Sequence, residues 1–156
     1  MTPSLNRLPA LLLIGLAGAA PAQMDCNILS RMVAESINGF AEIRQKSTFS
    51  QFSEPTGWIT SFRLPGSEFC YISKQPSLVC NYPAFAYEEV VDDVGGCLDP
   101  ALWDRRMGTH SEQSNQRFGD SKSADRVVFV EKARGVAIRI WRTIYPETVT
   151  VEISPP

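Results

Sequence analysis

All four cysteines of the chain, Cys26, Cys70, Cys80 and Cys97, lie downstream of residue 22, and that even number is the strongest limit on what the chain can become. In an oxidising compartment four thiols become two covalent cross-links. In a reducing one they would serve as metal ligands or reactive groups. No two of them are spaced C-x-x-C, so zinc-ribbon and thioredoxin-like redox chemistry both lack their usual pattern. The chain has one histidine, His110, which leaves a transition-metal centre without its usual imidazoles.

The first residues decide the compartment. MTPSLNRLPALLLIGLAGAAPAQ carries one basic residue, Arg7, then an apolar run from Ala10 to Ala20, then Ala20-Pro21-Ala22. A positive n-region, a short apolar core and a small-x-small site form a secretory signal peptide. The run is shorter than the roughly 20 residues that span a bilayer. We expect cleavage after Ala22 and no membrane anchor afterwards. Cys26 follows Gln-Met-Asp, which does not suit lipidation. Export places the four thiols where they oxidise, and the expected location is periplasmic or secreted.

Loss of residues 1–22 removes one of 15 basic side chains and none of the 17 acidic ones. The remaining chain, about 130 residues with a slight acidic excess, is long enough for one core that buries roughly two-thirds of its unfolded surface. Clustered Lys/Arg of the kind that binds nucleic acid is absent, so no nucleic-acid partner is expected.

Periodicity then divides the chain. Residues 27–46 place Leu29, Met32, Val33, Ser36, Ile37, Phe40 and Ile43 at steps of three and four, predicting a helix capped by Asp25 or Asn27, with Gly39 weakening its middle. GWITSFRL alternates, with Trp58, Thr60, Phe62 and Leu64 on one side. EFCYIS and SLVCNY flank Lys74-Gln75-Pro76 as a hairpin that faces Ile72 with Leu78 and Cys70 with Cys80. A second helix begins at Pro83 or Ala84 and ends at Gly95-Gly96, with Tyr87, Val90, Val91, Val94 and Leu98 inward. Residues 100–106 suit a short helical turn with Pro100 in first position. Residues 107–125 are almost wholly polar and read as a mobile loop. RVVFVEK and VAIRIWRTI flank Ala-Arg-Gly, where Gly135 suits a positive-φ turn, and TVTVEI alternates to the end.

The expected architecture is therefore α+β: one domain over 23–154, with an antiparallel sheet of five to six strands. Two main helices pack on one face, in the order α-β-β-β-α-β-β-β. Three disulfide pairings are open. Cys70 and Cys80 could join across their hairpin, since opposed residues sit about 4.5–5.5 Å apart. Alternatively each inward cysteine holds a helix. The second helix, rising 1.5 Å per residue, would bring Cys97 back level with Cys80, and Cys26 would reach Cys70. The favoured expectation is Cys26–Cys70 with Cys80–Cys97. The run Cys70…Cys80-Asn81-Tyr82…Cys97-Leu98 resembles small exported proteobacterial proteins with a C…C-x-aromatic…helix…C-L pattern. The resemblance implies export and disulfides and carries over no catalytic residues.

Candidate chemistry is sparse. Glu88/Asp92 and Glu89/Asp93 are i,i+4 pairs, but a hard cation wants six to eight oxygens, usually from a loop, so the expected reading is a solvated helix face and no metal. His110 has Ser111, Glu112 and Ser114 beside it in sequence, yet a nucleophile, base and orienting group need rigid mutual geometry, and no G-x-S-x-G elbow is present. Neither G-x-G-x-x-G nor G-x-x-x-x-G-K occurs, so no nucleotide and no other cofactor is expected. The end of the chain offers more. If Val136, Ile138 and Ile140 face the core, then Arg139 and Trp141 point outward, with Arg142 and Tyr145 nearby, and Trp with Arg is the composition of a binding hot spot. The expectation is a binding module with a protein partner, of inhibitor, immunity or envelope-assembly type, rather than an enzyme. The rival is a small periplasmic hydrolase or carbohydrate-active enzyme using His110 or the acidic helix.

Overall fold

The computed structural model describes residues 23–51, 54–111, 123–144 and 147–156. The proposed leader, 1–22, lies outside them. The elements are α1 (Cys26–Ser36), β1 (Arg44–Gln51), β2 (Glu54–Thr60), β3 (Phe69–Ser73), β4 (Leu78–Pro83), α2 (Tyr87–Cys97), β5 (Trp103–Ser111), β6 (Ser123–Glu131), β7 (Ala137–Ile144) and β8 (Glu147–Ser154). Eight antiparallel strands form one sheet in the order β1-β2-β3-β4-β8-β7-β6-β5. The α+β class stands, but the strand count is higher than expected and the order becomes α-β-β-β-β-α-β-β-β-β.

The first helix stops ten residues early. Asp25 caps it as expected, its Oδ1 accepting from the Asn27 amide at 2.8 Å and the Ile28 amide at 3.4 Å. It ends because Gly39 and Phe40 both take positive φ, 61° and 59°. Glycine reaches that region freely, whereas phenylalanine does not. The fully buried ring of Phe40 holds it there. The chain reverses and Arg44 opens β1, with its guanidinium 4.6 Å from the Trp58 ring on β2.

The expected turn at 100–106 and loop at 107–125 are both corrected. Asp99 organises a single turn, its backbone oxygen accepting from the Leu102 and Trp103 amides, and β5 starts at Trp103. β5 and β6 pair without a break from Trp103↔Glu131 to Ser111↔Ser123. Residues 107–111 and 123–125 are thus strand, and only 112–122 of the supposed loop lie outside the described residues.

The β3–β4 register is as expected, with Cys70 opposite Cys80 and Ile72 opposite Leu78. Side-chain alternation puts these four and Tyr82 on the same face as Val149, Val151 and Ile153 of β8, Ile138 and Ile140 of β7, and Val127 and Phe129 of β6. All are buried in one cluster with Leu29, Met32 and Val33 of α1 and Val90, Val91 and Val94 of α2. Both helices therefore cover one face. α2 begins through a single 3₁₀ turn at Ala84–Ala86 and buries the expected Tyr87, Val90, Val91 and Val94.

The bonded cysteines are Cys26–Cys97 and Cys70–Cys80, and none is free. The favoured Cys26–Cys70 and Cys80–Cys97 pairing is wrong because α2 does not return along β4. A Cβ added at Gly95 would sit 3.5 Å from the Phe129 ring, so the end of α2 lies over β6. That is three strands from β4, roughly 14 Å at the usual strand spacing. There Cys97 meets the start of α1, with its Cα 5.0 Å from that of Cys26. Cys70 and Cys80, opposed at 4.1 Å between Cα atoms, bond each other.

Candidate binding face and the sites expected from sequence

The helices leave the other face of the sheet to different side chains. The register lays out two rows across it. One runs Arg106, Val128, Arg139, Glu152, Val79, Tyr71; the next runs Arg126, Trp141, Thr150, Asn81, Phe69. Arg139 and Trp141 alternate with the buried Ile138 and Ile140 and so point as expected, each half-buried. Trp141 faces Arg126 on β6, and Arg139 faces Glu152 on β8.

These side chains line a groove of about 450 Å³ with the Gln75–Ser77 turn and Pro155. Within it Arg139 donates to Ser154 Oγ at 2.5 Å and stands 3.8 Å from the Glu152 carboxylate. Glu152 and Tyr71 lie in one row of this face, with Val79 of β4 between them. Burial raises the Tyr71 phenol above its ordinary range, and the negative charge of Glu152 adds to that. Among the described side chains, three arginines, Arg106, Arg126 and Arg139, stand on the β5–β7 half of this face, with Asp104 on β5 and Glu152 on the adjoining β8. Asp104 is drawn off by Lys132, 3.6 Å away. The half-face is net cationic, aromatic and grooved, which suits an acidic partner.

One expected member, Arg142, is absent from this surface, and Tyr145 lies outside the described residues. Arg142 has the parity of the buried strand residues and turns to the helix face, where its guanidinium lies 5.1 Å from the Tyr87 ring. Arg126, Arg106, Glu152 and the 75–77 turn were missed. Their signal is register rather than composition: Arg126 opens RVVFV, yet only the β6–β7 pairing sets it opposite Trp141.

The side chains of the rival site at His110 lie outside those described. His110 lies on β5 in register with Ala124, and Glu112 and Ser114 fall outside the described residues. Glu88, Glu89 and Asp92 are exposed as expected. Asp93 departs from that reading, since it is half-buried and its Oδ2 accepts from the Met24 amide at 3.0 Å. Among the described residues no three His, Cys, Asp or Glu groups are placed to share a metal ion, and no helix is long and apolar enough to cross a membrane. No family model, curated protein or solved structure matches this chain.

Proposed function

We propose that the chain is an exported binding module that holds an acidic protein partner on the helix-free face of its sheet. One observation carries the reading: Trp141, Arg139 and Arg126 gather on a single groove across β6, β7 and β8. Trp and Arg are the residues most enriched where interface energy concentrates, because they bring large area and fixed donor geometry to a desolvating surface. The groove sits on a rigid sheet, so little ordering cost attends binding. Eight strands at their usual spacing give a face roughly 35 Å wide, enough for the roughly 800 Å² per partner of a standard interface. Export is supported by the leader pattern at residues 1–22 and by two disulfides on four cysteines.

The test is capture. Tagged protein is incubated with periplasmic extract of its own source beside the Arg139→Ala/Trp141→Ala double variant, and bound proteins are identified. The expected result is an acidic partner retained by the native chain and lost by the variant. Equal retention by both would reject this face.

A further inference from the structure

A second concavity lies on the opposite side of the sheet, between the start of α2 and the turn before β3. It encloses about 240 Å³. Met24, Pro65, Pro83 and Val90 give it apolar walls, and Phe85, 81% exposed, stands at its edge. Its only charged lining residues are Glu89 and Asp93. They are one helical turn apart, so both carboxylates reach one side of the cavity. Among the described residues neither pairs with a Lys or Arg side chain. Asp93 spends one oxygen on the Met24 amide and keeps the other.

Tyr82 is the independent observation. It lines the cavity, is 3% exposed, and its hydroxyl is buried with no hydrogen-bond partner. A buried polar group left without a partner is destabilising, which a bound ligand would relieve. Two carboxylates with no Lys or Arg partner, an orphaned phenol and apolar walls together describe the counterpart of an aliphatic stem with a cationic head. A hard metal ion would find too few oxygens. The half-charge of the α2 N-terminus opposes a cation there but is outweighed by two full carboxylates.

We propose that this cavity receives a lysine or arginine side chain of a partner protein. The stem packs on Pro65, Pro83 and Phe85, and the head donates to Glu89, Asp93 and the Tyr82 hydroxyl. This site does not depend on the helix-free face, and its test reads a different surface.

The experiment follows the amide NMR spectrum of the purified, disulfide-bonded protein as acetyl-Gly-Lys-Gly-amide is added, with the arginine, norleucine and Nε-acetyl-lysine peptides and spermidine in parallel. Saturable shifts at Phe85, Ala86, Glu89 and Asp93 are expected from the lysine or arginine peptide and none from the two uncharged ones. Glu89→Gln, at an exposed position, should raise Kd roughly tenfold, the factor for about 1.4 kcal/mol. Tyr82→Phe should raise Kd several-fold while its melting temperature holds or rises, a combination that a purely structural role for the hydroxyl does not produce. Equal shifts from the norleucine peptide, an unchanged Kd in both variants, or binding of spermidine without either charged peptide would overturn the proposal.

Discussion

Cys26 is bonded to Cys97 across 71 positions of sequence, which fastens the first residue of α1 to the last of α2. Cys70 and Cys80 close a loop of only ten positions, between strands that already pair. In the chain-entropy account a cross-link stabilises by restricting the unfolded chain, and more so for a longer loop. Replacing Cys26 and Cys97 by alanine should lower unfolding free energy by about 4 kcal/mol, and replacing Cys70 and Cys80 by about 3 kcal/mol. Denaturant titration of the two double variants measures both. Peptide mapping without reductant should recover the Cys26–Cys97 fragment pair. Recovery of Cys80 joined to Cys97 would reject this covalent frame.

At Gly57, β2 lies close against β3. A Cβ there would meet the Ile72 carbonyl oxygen at 2.0 Å and its carbon at 2.9 Å, both backbone atoms that cannot swing away. Gly57→Ala must therefore part the two strands, at a cost of about 1–3 kcal/mol or more. Gly96, in the last turn of α2, has nothing within 4 Å of the same added atom. Gly96→Ala should instead be neutral or stabilise by up to about 1 kcal/mol, by lowering the entropy lost on folding. The thermal melt of the Gly57→Ala variant should fall while that of Gly96→Ala holds or rises, and a matched fall in both would contradict the close strand approach.

Side-chain period read the inner half of the fold correctly. Cys70, Ile72, Leu78, Cys80, Tyr82, Val90, Val94, Ile138 and Ile140 all lie in the core where alternation or helical spacing puts them. It misled at two places. Phe40 and Ile43 continue the apolar stripe of α1, but they are buried by a chain reversal at Gly39 rather than by three more turns of helix. Trp103 through Ser111 carries few apolar residues because β5 is an edge strand with a partner on one side only. Polar residues suit such an edge, and composition alone reads them as loop. The binding face was legible at Arg139 and Trp141, whose own strand fixes their direction. Arg126, Glu152 and the 75–77 turn join them only through pairing between strands distant in sequence, which no local pattern encodes.

The reversal at Gly39-Phe40 gives a test of its own. Phe40 is fully buried in a backbone conformation that costs a bulky side chain roughly 1–2 kcal/mol. Burial of the ring must exceed that cost. Phe40→Ala should therefore lose about 3–5 kcal/mol, the range for removing a core phenylalanine. Gly39→Ala, at φ 61° with Pro76 3.4 Å from the added carbon, should lose about 1–2 kcal/mol through strain. If Phe40→Ala proved nearly neutral in chemical denaturation, the ring could not be what terminates α1.

Tyr82 couples stability to alkaline pH. Burial, first, and the neighbouring Asp93 charge, second, push its phenol well above the ordinary tyrosine range. In the unfolded chain it would ionise near pH 10. The folded state thus prefers the protonated phenol. The stability linked to this group is fully present below about pH 10 and declines as pH rises from there toward the folded-state value. Tyr71 adds in the same direction, through its own burial and the Glu152 charge. Tyrosinate absorbance during a pH titration should show these two phenols ionising only as the protein unfolds. Tyr82→Phe removes the larger share of the linkage, so its unfolding free energy should fall less steeply than the native protein's above pH 10. Early, reversible ionisation of Tyr82 without loss of tertiary structure would show that its hydroxyl is open to water, and the cavity it lines would then hold no orphaned hydroxyl for a ligand to pair with.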